Sequence, residues 1–116
     1  MNNKTQKQKI LERTGSFREY LIKELQNPEE ASIYLQVALD EYQQDGNTEA
    51  FMLALRNVAQ ATGGIGMLAK KAELSRQNLY HTLSSKGNPS LKKLGSILTG
   101  LGFHLSIAPV RQPEHT

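Results

Sequence analysis

The chain contains no cysteine, so it can form neither a disulfide nor a thiolate nucleophile. No apolar run is long enough to span a membrane, and the basic N-terminus lacks the apolar core of a secretory signal. We therefore expect a soluble, cytoplasmic protein. Its 116 residues leave room for one domain around a single modest core.

Groups that could perform catalysis are scattered. His81, His104 and His115 lack the spacing of metal ligands, so we expect no metal and no other cofactor. The glycine-rich stretch 63–66 lies between two predicted helices and does not follow a strand, unlike a phosphate-binding loop. The most amphipathic segment, 28–45, has an acidic polar face that does not suit a membrane surface. The chain is therefore not expected to be an enzyme.

The stretch from Ile65 to Leu83 has the pattern of two short helices joined by a tight turn. Apolar residues recur at helical spacing on one face of the first helix, at Ile65, Leu68, Ala69 and Ala72. Ser75 is a good N-cap for the second helix, and Leu79 and Leu83 orient that helix inward. This pattern is typical of a helix-turn-helix, whose second helix enters the DNA major groove. An ordinary pair of antiparallel helices remains the alternative.

The turn of this motif carries Glu73 where glycine is usual. Residues other than glycine adopt positive φ less readily, so we expect a different turn conformation. Charge favours DNA binding, because Glu73 is the only acid between positions 66 and 93. The basic residues in that range are Lys70, Lys71, Arg76, Lys86, Lys92 and Lys93. The whole chain has a formal charge of +3, which is compatible with a nucleic-acid partner.

The remaining segments predict an all-α domain of about five to six helices. Ser16 can cap a first helix, and Asn27 can cap a second helix that starts with Pro28. Thr48 caps a third helix that is apolar over more than one face, so this helix should lie at the centre of the core. Ser90 caps the last helix. The inward residues of that last helix are expected to be Leu91, Leu94, Leu98 and Leu101.

Alternating apolar and polar residues after the last helix predict one short strand over 103–109. Phe103, Leu105 and Ile107 would share one face of it. The backbone of a lone strand needs a partner, so we expect it to pair with the same strand of a second copy. The resulting two-fold homodimer could place two recognition helices about 34 Å apart on a pseudo-palindromic operator in double-stranded DNA.

These patterns divide the chain into a flexible basic tail (1–14), a single domain (15–110) and a second tail (111–116). The basic tail is either solvated or follows a DNA backbone. The domain is further divided into acidic N-terminal helices (15–46), a DNA-binding helical core (47–102) and the strand (103–109).

Charge is distributed unevenly along the chain. From Glu19 to Glu49 the only base among many acids is Lys23. Such a surface cannot lie against phosphate, so DNA should meet the other side of the molecule. The acidic half is either a solvated surface or a docking surface for a basic protein. The candidate contacts for such a partner are Glu29, Glu30, Asp40 and Glu41.

Segments 20–41 and 49–107 resemble a known family in order and spacing. The most specific pieces are Tyr34-Leu35, Phe51, Ala54-Leu55, Val58, LSRQNLY (74–80), Gly87-Asn88-Pro89, and Leu101-Gly102 followed by 103–107. In these pieces the chain resembles the addiction-module antidote family. That family comprises the helix-turn-helix antitoxins of bacterial toxin–antitoxin pairs, which are phage-repressor-like (XRE-type) proteins.

The resemblance implies a lambda-repressor-like domain encoded beside a small basic RelE-like toxin that attacks RNA at the ribosome. The antitoxin would neutralise this toxin by binding it and would repress its own operon by binding the promoter. The recognition helix of the family falls on residues 75–84 of this chain. A solitary, prophage-type repressor without a toxin partner is the alternative that the sequence leaves open.

The recognition helix and the segment after it hold the candidate DNA contacts. Arg76 could bond guanine in a bidentate manner and Gln77 could bond adenine, although Arg76 is equally suited to a phosphate contact. Tyr80 is expected to pack against a neighbouring helix, and His81 either reaches the DNA or makes no contact. Cations at the start of the last helix could clamp phosphates. The complete set is Ser75, Arg76, Gln77, Asn78, Tyr80, His81, Lys86, Ser90, Lys92 and Lys93.

Overall fold

The structure is a computed structural model that describes residues 17–110. Within that range it contains α1 (Phe17–Glu24), α2 (Pro28–Asp45), α3 (Thr48–Ala61), α4 (Ile65–Ala72), α5 (Arg76–Thr82) and α6 (Leu91–Leu101). The predicted all-α fold with five to six helices is confirmed. Ser16 and the two predicted tails lie outside the described residues. Within 17–110, no helix has both the length and the apolar character needed to cross a membrane.

Helix α3 lies at the centre of the core, as its apolar sequence predicts. Its buried residues are Phe51, Met52, Ala54, Leu55, Asn57, Val58 and Ala59. Helices α1 and α2 pack against α3, which also contacts α4. Helix α4 in turn packs against α5 and α6. Helix α3 therefore joins the acidic first two helices to the helices that carry the basic residues.

Polar residues begin three of the helices where the sequence predicts. Asn27 caps α2 by accepting hydrogen bonds from two backbone N–H groups of the first turn, and Pro28 is the first helical residue. Ser75 and Ser90 cap α5 and α6, and the hydroxyl of each accepts one hydrogen bond from a backbone N–H of the first turn. Because these bonds join residues only two or three positions apart, they are readable from local sequence.

Two predictions at helix starts are wrong. Thr48 is the first residue of α3, and Asn47 is its N-cap, accepting from the N–H of Ala50 at 3.1 Å. Asparagine caps at least as well as threonine and stands one position earlier. Leu91, predicted to face inward, is 75% exposed. It is the first residue of α6, whose buried residues Ile97, Leu98 and Leu101 lie in the second half of the helix.

The predicted strand is also wrong for a single chain, because residues 103–110 form no strand within the described part of the molecule. Phe103 is half-buried against the core, and its N–H donates to the Leu98 carbonyl at 2.8 Å. Leu105 is exposed and Ile107 is fully exposed. A strand requires a neighbouring strand for its hydrogen bonds, and none exists within 17–110. Pairing between two copies stays a prediction.

Candidate nucleic-acid interface

The turn between α4 and α5 keeps the left-handed conformation that glycine usually supplies. Glu73 has φ 58° and ψ 44°, and it is the only non-glycine residue with positive φ among residues 17–110. Its N–H donates to the Lys70 carbonyl at 3.3 Å, and the N–H of Leu74 donates to the Ala69 carbonyl at 3.0 Å. These two bonds are the Schellman pairing that satisfies the end of a helix. The expectation of a different turn is therefore wrong, because closing α4 outweighs the backbone strain at Glu73.

Helix α5 is held by its buried side and by a contact from α3. Leu79 and Leu83 are fully buried, and Thr82 is nearly so. The backbone carbonyl of Leu83 accepts a hydrogen bond from the guanidinium of Arg56 in α3. The central helix thereby fixes the C-terminal end of α5. Nothing in the local pattern around Arg56 indicates this role, since its partner lies far along the chain.

The opposite side of α5 faces outward. The side chains exposed there are those of Arg76, Gln77, Asn78, Tyr80 and His81. Tyr80 is 56% exposed, so the expectation that it packs against a neighbouring helix is wrong for the single chain. Leu79 occupies the inward direction, and Tyr80, one residue later, is rotated about 100° away from it.

The side chain of Arg76 rests beside α4. A Cβ atom built on Gly66 would lie 3.8 Å from both Cζ and Nε of Arg76. At 3.8 Å such a Cβ atom would make ordinary van der Waals contact with the guanidinium, so Arg76 lies beside α4 without requiring a glycine there. The closeness of Arg76 to Gly66 is a contact between α5 and α4 that the glycine-rich stretch does not reveal.

Asn78 joins α5 to α6. Its Oδ1 accepts hydrogen bonds from the Thr82 hydroxyl at 3.2 Å and from the Lys93 ammonium at 2.9 Å. Its backbone N–H donates to the Ser75 hydroxyl at 3.0 Å. An ammonium carries three N–H groups, so Lys93 can bond a phosphate while it holds Asn78. Asn78 is thus placed to position Lys93, in addition to starting α5.

Gly87 lets the loop after α5 approach the end of that helix closely. A Cβ atom built there would lie 1.8 Å from the carbonyl oxygen of Thr82 and 3.1 Å from that of His81. Any side chain at this position would therefore displace backbone. The N–H of Gly87 donates to the Ser84 carbonyl at 2.9 Å, which closes the turn. The resulting cleft between α5 and α6 is lined by His81, Thr82, Asn88, Pro89, Ser90 and Lys93.

The remaining basic candidates surround this cleft and the start of α6. Lys86 and Lys92 are exposed, as are Lys70 and Lys71 on α4, and Lys93 is half-buried. Ser90 uses its hydroxyl to accept from the backbone N–H of Lys93 at 3.2 Å. Cations and a helix N-terminus together attract an anion such as a phosphate. Among residues 17–110, no group of acids and histidines could hold a metal ion.

The predicted partner and dimer residues lie apart from this region. Glu29, Glu30, Asp40 and Glu41 are exposed on α2, which packs against α3. The predicted dimer residues belong to the segment after α6. The structure therefore brings the DNA candidates together and keeps the acidic candidates on a different helix.

A polar network around the buried Asn57, which the sequence does not predict, attaches α1 and α2 to α3. The side chain of Asn57, only 3% exposed, donates to the Tyr34 hydroxyl at 2.9 Å and accepts from the guanidinium of Arg18. Arg18 also donates to the side-chain oxygen of Gln60. The one local signal is an asparagine on the otherwise apolar side of α3. Its partners cannot be identified without the fold.

Comparison with known proteins gives one family. A sequence model of the family described as "Probable addiction module antidote protein" matches residues 17–109. A protein of Haemophilus influenzae described as uncharacterized is 30% identical over 77 residues, which cover 66% of this chain and 78% of that protein. No solved structure matches the chain.

Proposed function

This chain belongs to the probable addiction module antidote family, and we propose that it is a DNA-binding antitoxin. In this proposal it neutralises a small basic RelE-like toxin and represses its own operon, as a cytoplasmic homodimer on a pseudo-palindromic operator. The observation that carries the proposal is the family match, which spans nearly all of the described residues.

For DNA binding, the proposal assigns α4 and α5 to a lambda-repressor-like helix-turn-helix, with α5 as the recognition helix. Its support is the division of α5 into a buried side held by α3 and an outward side that carries Arg76 and Gln77. These two residues would read base edges. Lys86, Lys92 and Lys93 would bond phosphates and so fix the position of α5 in the groove.

The dimer is proposed through the segment after α6. Leu105 and Ile107 leave apolar surface exposed there, and residues 103–110 have no strand partner within the described chain. Pairing this segment with its symmetry mate would satisfy the backbone groups and cover the apolar side chains. Removal of residues 103–116 should then give a monomer by light scattering, whereas a truncated dimer would contradict this assignment.

The proposed function is tested with the full-length chain in two assays. The first measures binding to the promoter upstream of its own gene at low salt, where phosphate contacts are strongest. The second measures whether the chain restores growth when a basic protein from the neighbouring reading frame is expressed. Binding and rescue together are the expected result. If the chain binds the promoter but does not rescue growth, the proposal is replaced by a solitary repressor. If it neither binds the promoter nor rescues growth, both the antitoxin function and DNA binding are rejected.

A further inference from the structure

The outer side of α2 carries two apolar side chains that the described part of the chain leaves open. Ile33 is 60% exposed and Val37 is 51% exposed, whereas Ala31 and Leu35 of the same helix are buried. Ile33 and Val37 are four residues apart and therefore adjacent on the helix surface. Single exposed apolar residues are ordinary, but an adjacent pair forms a continuous apolar contact surface.

Carboxylates flank this pair on both sides. Eleven residues complete about three helical turns, so Glu29 aligns with Asp40, and Glu30 aligns with Glu41. At about 100° per residue, Ile33 and Val37 fall between these two rows, each about 16 Å long. All four carboxylates are exposed, and α2 contains no lysine, arginine or histidine. We call the six residues Glu29, Glu30, Ile33, Val37, Asp40 and Glu41 the α2 face.

Local structure explains only the first half of this charge pattern. Glu29 and Glu30 lie in the first turn of α2, where negative charge is favourable to the helix dipole. Asp40 and Glu41 lie in the second half of the helix, beyond the turn where its N-terminus favours acids, and α2 holds no basic residue to pair with them. The Oδ1 of Asp40 accepts one hydrogen bond from Gln36 at 3.0 Å, within the same helix. Apart from this bond, which stabilises the helix only weakly, the stability of α2 does not account for the charges of Asp40 and Glu41.

We propose that the α2 face binds a basic partner protein, which in the proposed function is the toxin. An apolar part of the partner would cover Ile33 and Val37, and its lysine or arginine side chains would pair with the two carboxylate rows. This arrangement has the general form of a protein interface, an apolar centre within a polar rim. The identification of the partner as the toxin rests on the proposed function.

Charge distinguishes this occupant from three others. DNA and anionic lipid surfaces carry negative charge and would be repelled by the carboxylate rows. A second copy that presented the same face would oppose carboxylates with carboxylates, which is costly at an interface. A basic protein is the partner for which both the apolar centre and the charged rows are favourable.

The experiment uses the full-length chain and the basic protein that copurifies with it from its host, identified by mass spectrometry and purified. Titration calorimetry measures affinity for wild type, for Ile33→Ala with Val37→Ala, and for Asp40→Asn with Glu41→Gln. Glu19→Gln with Glu24→Gln is the charge control, because it removes the same charge from exposed positions on α1. Leu53→Ala, at an exposed apolar position on α3, is the apolar control.

Both α2-face variants are expected to weaken binding by about tenfold to a hundredfold, while both controls remain within about twofold of wild type. The carboxylate variant should also show a weaker dependence of affinity on salt. Thermal unfolding and operator affinity should not change, since these side chains are exposed and α5 lies in a different part of the fold.

The possible failures are distinguishable. If wild type binds the toxin and the α2-face variants bind equally well, the α2 face is not the docking surface, while the proposed function stands. If wild type binds DNA but no basic protein copurifies, both the α2-face proposal and the antitoxin function are overturned.

Discussion

Helices α2 and α5 differ in what holds them in place. Helix α2 has 18 residues, its own Asn27 cap and one side packed against α3, where Ala31 and Leu35 are buried. Helix α5 has 7 residues, too few for a stable isolated helix. Its position depends on Arg56 of α3, on the loop around Gly87 and on Lys93 of α6. Substitutions on the exposed side of α2 should therefore leave that helix in place, whereas the exposed side of α5 depends on contacts from outside α5.

Gly87→Ala should have the largest effect on stability, because the added Cβ would collide with the Thr82 carbonyl oxygen. We expect a loss of about 3 kcal/mol in the free energy of unfolding, measured by urea denaturation. Operator binding should fall with it, since the end of α5 must move. Gly95→Ala is the matched control, because a Cβ there meets nothing within 4 Å and alanine favours a helix. Equal effects of the two variants would contradict the close approach at Gly87.

Arg56→Met should have the next largest effect. It keeps an apolar side chain of similar length but removes the hydrogen bond to the Leu83 carbonyl. A buried carbonyl left without its partner costs about 1–3 kcal/mol, so urea denaturation should show a loss of about 2 kcal/mol. Arg56→Lys keeps a hydrogen-bond donor, so it should lose less free energy of unfolding than Arg56→Met. If methionine and lysine behave alike, the bond does not anchor α5.

Arg76→Ala changes the outward side of α5 and leaves the contacts that hold α5 in place unchanged. Because Arg76 is exposed, the free energy of unfolding should change little. Operator affinity should fall by about 1–3 kcal/mol and sequence preference should relax, as measured by titration against the promoter and single-base variants of it. Lys92→Ala should instead weaken binding to all sequences alike, as expected for a phosphate contact. An unchanged footprint for Arg76→Ala would remove Arg76 from the base-reading residues.

The sequence predicts those parts of the fold that depend on near neighbours. Asn27, Ser75 and Ser90 begin their helices through bonds within three residues, and apolar periodicity places α3 at the centre. The anchors of α5 are not predictable in this way, because Arg56 reaches a carbonyl 27 positions away. The outward direction of Tyr80 likewise depends on how α5 packs against other helices. Strand formation by 103–109 depends on a second chain, which no local pattern specifies.

In the candidate site, too, the features set by local sequence are predictable and those set by tertiary contacts are not. The exposed row of α5 and the basic residues around it follow from helical periodicity and charge, and the structure places them together. The bond between Asn78 and Lys93 and the placement of Arg76 beside Gly66 are tertiary contacts, which local sequence does not specify. Charge alone marks the acids of α2, but only the fold shows that Ile33 and Val37 are exposed among them.

Glu73→Gly should have the smallest effect and the opposite sign. The left-handed conformation at Glu73 costs about 1–2 kcal/mol for a residue with a Cβ, and glycine escapes most of that cost while gaining freedom in the unfolded chain. We expect a net increase of about 0.5–1 kcal/mol in the free energy of unfolding by urea denaturation. Glu73→Gln keeps the Cβ and removes only the charge, so it should give no such increase. If glutamine stabilises the chain as much as glycine does, the negative charge of Glu73 at the end of α4, and not backbone strain, would be the source of the instability.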